Sequence, residues 1–268
     1  SDIWEIRSYD WARDSKWIAY TDSDSTRISR IHMYSLENKR THTITSKWFD
    51  SSSPHFSHDG KYLFFTSNRD FNPTYSATEW NHAYRDMTGI YYLCLNKEVP
   101  DLLAAQNDTV AINKKTKDNK KTESNKEKTV SCQVDFNNIK QRLGKLPIKA
   151  SNYGNLNYID GRLYYNERAL KHSLTLKMYD FKKREEKELT KKAGFEISAD
   201  RKKMLLSKSG KYYIVDIPKS EIKLKDAVQM EGMKIWVDRH EEWQQIYDEA
   251  WRQMRDFFYD PGMHGVDW

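Results

Sequence analysis

One histidine of eight, His264, stands in a setting that suits acid–base chemistry. It follows Asp260-Pro-Gly-Met263, which reads as a helix stop, and it precedes Gly265. A turn after a rigid helix can hold an imidazole clear of the packed face, within reach of another domain. An imidazole titrates near neutrality, and it is the usual base that takes the proton of a nucleophilic serine. Two blander readings share these residues. His264 can be a surface turn histidine, or Asp260, His264 and Asp267 can hold a metal, although water and backbone satisfy such a trio easily. No Gly-x-Ser-x-Gly turn occurs, so the chain by itself is expected not to hydrolyse peptides. Cys94 and Cys132 are too few for a disulfide framework or a zinc site. Cys94 lies in a strand-like run and reads as a buried free thiol, while a bridge between the two stays open. No cofactor is expected.

The element that must position His264 is a helix. Trp243, Ile246, Tyr247, Ala250, Trp251, Met254, Phe257 and Phe258 recur at helical spacing and make one apolar face. Asp238, with Glu241 three residues on, reads as a capping box. So apolar a face predicts burial, as in the opening helix of a helical domain. Met233 to Asp238, just before it, reads as a strand, and Glu221 to Gly232 as a polar connector.

Upstream, the period is that of strands. Pro54 to Ser67 reads strand, tight turn, strand, with His58-Asp59-Gly60 as the turn. Gly89 to Leu95 follows as a third strand. The same grammar recurs at Tyr9–Tyr20, Asn157–Tyr165 and Phe195–Ser207, each with further strands behind it. The turn aspartates are Asp14, Asp59, Asp160 and Asp200. A unit of about 40–45 residues with four short strands is the signature of a β-propeller blade. The fold class is therefore all-β: a partial propeller of four-stranded antiparallel blades, followed by a helix. Propellers close with roughly 4–8 blades, so these blades are expected to belong to a larger ring. Ser1 to Arg7 alternates and reads as a strand, as does Val130 to Phe136. Asn137 to Arg142 reads as a short helical or turn connection, and Val99 to Leu103 as the end of the second blade.

Two stretches interrupt the blades. Asp70 to Asp86 carries Phe71, Tyr75, Trp80, His82 and Tyr84, and reads as a long loop over one propeller face. Such a loop can face a substrate or partner, or simply pack its own aromatics. Asn107 to Thr129 has no aromatic residue and is rich in Lys, Asn, Thr, Ser and Glu. It cannot bury enough apolar area to offset ordering, so a disordered insertion is expected there.

The charge balance follows from that insertion. Net charge is +6, and Lys114 to Lys128 holds seven Lys and three acidic residues, about +4 of it. A nucleic-acid surface would carry its excess on folded elements with aromatic partners, so nucleic acid is not an expected partner. No run of 18 apolar residues exists, so no membrane span is predicted. Propellers also host carbohydrate hydrolysis by paired carboxylates, but nothing selects two acids from 39.

Glu249 to Trp268, ending His264-Gly-Val-Asp-Trp, resembles the start of the first core domain of tricorn-type proteases. Val134-Asp-Phe136, Arg142, Leu146-Pro147 and Asn152 to Leu156 resemble the blade entry of that family's second propeller. Phe195 to Asp200 and Gly210 to Val215 resemble its closing blade. The resemblance implies blades over 1–218, a connector over 219–232 and the start of a helical core domain over 233–268. It also implies a PDZ domain and a serine-bearing α/β core domain elsewhere in the same protein, and homo-oligomers at full length. His264 matches the family's catalytic histidine; Met263 stands where the type member has a helper serine, and the family's orienting glutamate comes from the other core domain. Asp267 is expected in a cap or turn role. The function implied is peptide processing by a serine protease, the propeller gating the passage of peptides. The alternative is a non-catalytic TolB-like propeller that binds a protein or peptide. The compartment is periplasmic or cytoplasmic, the TolB-like repeats favouring the first.

Overall fold

The computed structural model describes residues 6, 8–23, 27–71, 73–75, 82–105, 131–169 and 172–268. Residues 1–228 form one compact unit and 229–268 a second. The first unit is a set of antiparallel sheets in chain order. β1 (Tyr9–Trp11), β2 (Trp17–Ser23), β3 (Ser29–Ser35) and β4 (Arg40–Thr43) pair consecutively. β5 (Ser51–Phe56) and β6 (Tyr62–Asn68) start the second sheet. A two-stranded ribbon, β7 (Pro73–Tyr75) with β8 (His82–Tyr84), then intervenes before β9 (Thr88–Cys94) and β10 (Leu143–Lys145) complete the order β10-β9-β6-β5. β11 (Tyr153–Ile159), β12 (Arg162–Glu167), β13 (Thr175–Asp180) and β14 (Glu185–Lys191) form the third sheet. β15 (Ala193–Ile197), β16 (Lys203–Lys208) and β17 (Lys211–Asp216) form a three-stranded fourth.

The aspartate turns work as their sequence suggests. Asp59 Oδ1 accepts the Lys61 N–H at 3.2 Å and the Ser57 hydroxyl at 2.6 Å. Asp200 Oδ1 repeats both bonds, with Lys202 and Ser198. Gly60 takes φ 68 in the first turn, and Arg201 takes φ 57 at the matching place in the other, where the same bonds hold a side chain in the left-handed region.

Successive sheets face one another, which explains why the middle strands lack polar alternation. Neighbouring residues of one strand serve two different cores. Phe65 and Tyr91 pack with Ile31 and Met33 of the first sheet. Phe64 and Tyr92 pack on the other side with Leu163, Tyr165 and Phe181. Tyr164 points away from Tyr165, into a third core with Met178, Phe195 and Leu206. A blade buried on both faces therefore reads as a continuous apolar run.

Tyrosine suits these cores because its ring packs while its hydroxyl can reach a polar partner beyond the strands. Tyr62 donates to Pro100 O at 2.9 Å and Tyr164 to Pro218 O at 2.8 Å. Burial pushes the phenols of Tyr158 and Tyr164 up to about 12, and it also raises those of Tyr62, Tyr92, Tyr153 and Tyr165. Free tyrosine ionises near 10. Above about pH 10 the unfolded chain thus releases protons that the folded chain keeps, and stability falls as pH rises. The thermal midpoint should hold level from about pH 7 to 9 and drop steadily above about 10. A midpoint unchanged up to about pH 11.5, followed by circular dichroism, would contradict these burials.

Several expectations need correction. Residues 131–136 form no strand: Cys132 N–H donates to Asp14 Oδ2 at 2.8 Å and Asp135 N–H to Leu95 O at 2.9 Å, so single bonds to two sheets replace a ladder. Val99 to Leu103 does not close the second blade; its fourth strand is β10, which follows the insertion. The short helical connection is present as a 3-10 turn, Ile139–Arg142. Asp70 to Asp86 is not a plain loop but includes the ribbon, with the Phe71 and Tyr84 rings 5.3 Å apart; Trp80 lies outside the described residues. Met233 to Asp238 forms no strand, since no neighbour pairs with it and Ile235 and Trp236 face solvent. Ser1 to Arg7, save Ile6, and the whole of Asn107 to Thr129 lie outside the described residues. Past β17, Ile222 N–H donates to Leu189 O and Val228 N–H to Tyr212 O, which ties that stretch to the last two sheets.

Candidate functional site

The second unit carries His264. Its helix α1 (Arg239–Phe257) begins where Asp238 accepts the His240 N–H at 2.9 Å. Asp238 is thus the N-cap, but its side chain bonds the second helical amide rather than that of Glu241, and no reciprocal box forms. Glu241 and Glu242 in the first turn and Arg255 in the last suit the helix dipole. The helix face is apolar as predicted, yet no residue of α1 is buried; Trp243, Ile246, Tyr247 and Phe257 are more than half exposed. Within residues 229–268 one helix and a turn have nothing with which to cover that face, whose expected burial belongs to a larger helical domain.

Phe258 leaves the helix in extended conformation, and Asp260 then organises the turn. Its Oδ1 accepts the Gly262 N–H at 2.9 Å, and its Oδ2 accepts the His264 N–H at 3.0 Å. The same Oδ2 lies 3.1 Å from Nδ1 of the His264 ring. Nε2 meets the hydroxyl of Tyr259. Phe258 and Tyr259 meet the imidazole at ring separations of 5.6 and 5.2 Å, in edge-on geometry. Asp260 therefore fixes backbone and ring together. With Nδ1–H donated to the carboxylate, Nε2 is the bare nitrogen that accepts a hydroxyl proton. Met263 at φ 48 and His264 at φ 54 both occupy the left-handed region, which costs non-glycine residues on the order of 1–3 kcal/mol each.

The sequence singled out His264 but not its partners. The ring is oriented by Asp260, read from sequence as part of the helix stop and of a possible metal trio, and by Tyr259, which the sequence pattern does not mark. The i, i+4 spacing of Asp260 and His264 around a Pro-Gly turn was the available signal. His55 was likewise passed over: its Nδ1 lies 3.2 Å from Asp10 Oδ2, which also accepts the Phe56 N–H at 2.7 Å, so this pair joins β1 to β5. Among the described residues no group of three or more His, Cys, Asp or Glu side chains is placed to hold a metal ion. Cys94 and Cys132 are both buried and unbridged. Burial, with nearby aspartates, pushes their thiols up to about 11 and about 12, so neither supplies a thiolate nucleophile near neutral pH.

The architecture is that of β-propeller blades followed by a capped helix whose terminal turn presents a carboxylate-oriented histidine. The family model of the tricorn protease second beta propeller domain matches residues 1–218, and that of the tricorn protease C1 domain matches 239–268. The chain belongs to the tricorn protease family. It is 27% identical over 280 residues to tricorn protease homolog 1 of Streptomyces coelicolor, covering 95% of this chain and 26% of that protein. It is 26% identical over 276 residues to a putative tricorn-like protease C-terminal subunit of Sulfurisphaera tokodaii, covering 96% and 29%. The crystal structure of the tricorn protease superposes with a TM-score of 0.73 at 20% identity over 95% of this chain and 25% of that one. The chain thus spans about a quarter of the length of these relatives. No helix among the described residues is long and apolar enough to cross a membrane.

Proposed function

We propose that His264 is the general base of a tricorn-like serine peptidase, acting on a serine supplied from outside these 268 residues. The observation that carries this reading is the turn itself. Asp260 holds Nδ1, a hydroxyl already lies against Nε2, and two non-glycine residues are kept in a costly conformation to place the ring. In the reaction, Nε2 takes the serine proton as Oγ attacks the peptide carbonyl, then returns it to the leaving amine. Asp260 stabilises the imidazolium that forms between these steps. Tyr259 must yield its place at Nε2 to the serine. The match of 239–268 to the tricorn C1 domain supports the assignment, and that of 1–218 to the tricorn propeller favours it over a free-standing TolB-like binding module. The blades would then gate the passage of peptides, and the serine-bearing and PDZ domains of the same protein would be the partners, in an oligomer. The compartment of such a protein is either periplasm or cytoplasm.

A serine-directed fluorophosphonate separates this chain from its partner. It should modify a serine of the whole peptidase and none within Ser1–Trp268, and the 268 residues alone should not turn over peptides. Labelling of a serine inside them, or hydrolysis by them unaffected by His264→Ala, would refute the assignment.

A further inference from the structure

Between the first two sheets lies a hollow of about 190 Å³, far from the residues of the histidine turn in sequence. Its apolar wall is Ile44, Phe65, Leu93 and Leu143, and its charged lining is Arg69 and Lys140. Among the described residues no acidic side chain lines it. Arg69 is held in place without a carboxylate. Its Nε donates to the Ser67 hydroxyl at 3.0 Å, and its guanidinium carbon lies 4.5 Å from the centre of the Tyr91 ring and 5.6 Å from that of Phe49. The fork is thus fixed by one bond and two rings, with both terminal nitrogens left to donate among the described residues. Burial lowers the pKa of this guanidinium, consistent with a cation drawn partly out of water with no acid beside it. Thr45, on the same lining, accepts the Ile31 N–H at 3.0 Å and so keeps its own proton for another acceptor.

Structural arginines at a surface usually take a carboxylate or bulk water. Here a preorganised fork and a lysine border a small apolar space. We propose that this hollow binds a monocarboxylate that carries one compact aliphatic group. The carboxylate meets Arg69 and Lys140, and the aliphatic group rests on Phe65, Leu93 and Leu143. The volume suits one amino-acid-sized group and is below the several hundred Å³ of drug-sized pockets. A free branched acid and the C-terminal residue of a peptide share this chemistry. The inference does not depend on the assignment of His264, because binding is measured directly and involves none of the histidine turn.

The test titrates the protein with sodium 4-methylpentanoate, with the uncharged 4-methylpentanamide, and with the tripeptide Gly-Gly-Leu, by ligand-observed NMR. The acid should bind saturably and at least about tenfold more tightly than the amide, as charge-assisted bonds to a fixed guanidinium require. Arg69→Gln should weaken the acid about tenfold or more and leave the amide unchanged; Lys140→Gln should weaken the acid severalfold. Binding of Gly-Gly-Leu alongside the acid assigns the site to chain termini, and binding of the acid alone assigns it to free acids. Equal affinity for acid and amide, or no saturable binding of either, overturns the proposal. So does unchanged acid affinity in a folded Arg69→Gln protein. Should that variant fail to fold, unchanged affinity in Lys140→Gln, whose residue sits on the short 139–142 turn, overturns it instead.

Discussion

His264→Ala in the whole peptidase should lower kcat on the order of 10³-fold or more, with little change in stability. The magnitude follows from the role. Without the imidazole no group holds the serine proton as the tetrahedral intermediate forms, and residual turnover rests on binding and oxyanion stabilisation. Stability should hold because the His264 side chain is more than half exposed here and its ion-pair, hydrogen-bond and ring contacts are with Asp260, Tyr259 and Phe258 of its own turn. Replacing it also removes little apolar packing, and substitutions at such positions are usually within about 0.5 kcal/mol. Peptide turnover and a urea melt on the same preparation separate the two effects. Wild-type kcat in a folded His264→Ala protein would end the assignment.

The second large effect belongs to the blades. Phe64→Ala should destabilise the propeller unit by about 3–5 kcal/mol. Phe64 is fully buried, stacked on Tyr158 at 5.0 Å and 6.1 Å from both Tyr92 and Phe181. These rings come from the second and third sheets, so the substitution hollows the joint between two blades. Neighbours anchored in two sheets cannot collapse into the space, and the cavity adds to the lost transfer energy. Such a loss is a large share of the 5–15 kcal/mol typical of a domain. Denaturant melts should show it as a lower midpoint, and a loss under about 1 kcal/mol would mean that the two sheets are not packed as described.

The blades were legible because their turns repeat. Ser57-x-Asp59 and Ser198-x-Asp200 make the same bonds in the structure, and the apolar runs behind them are the strands buried on two faces. What escaped was the outermost strand of the second blade. Leu143-Gly-Lys145 is three residues long and carries a glycine, a weak strand signal. That glycine is required because it pairs with Tyr92, where a Cβ would lie 2.1 Å from the ring. Local pattern does not record such a cross-strand constraint. The strand expected at Met233 to Asp238 failed for the opposite reason: its short apolar run is strand-like, but pairing needs a neighbour that local sequence does not reveal.

At the site, the resemblance singled out His264, and the residues around it were read too coarsely. Asp260 looked like a helix stop, which it is, but its second oxygen also binds the ring. One carboxylate doing both is a property of the three-dimensional turn, with Met263 and His264 in the left-handed region to bring the ring back over Asp260. Arg69 was not singled out at all. Its lack of an acidic partner is visible only once the sheets are folded.

The most direct measurement is the separation of two atoms in a structure of the whole peptidase: Nε2 of His264 and Oγ of the serine that the fluorophosphonate modifies. The account predicts about 2.6–3.2 Å, with Nδ1 still on Asp260 and the Tyr259 hydroxyl displaced from Nε2. A nucleophilic serine served by another base, with His264 Nε2 still closed by Tyr259 and remote from that hydroxyl, would contradict it.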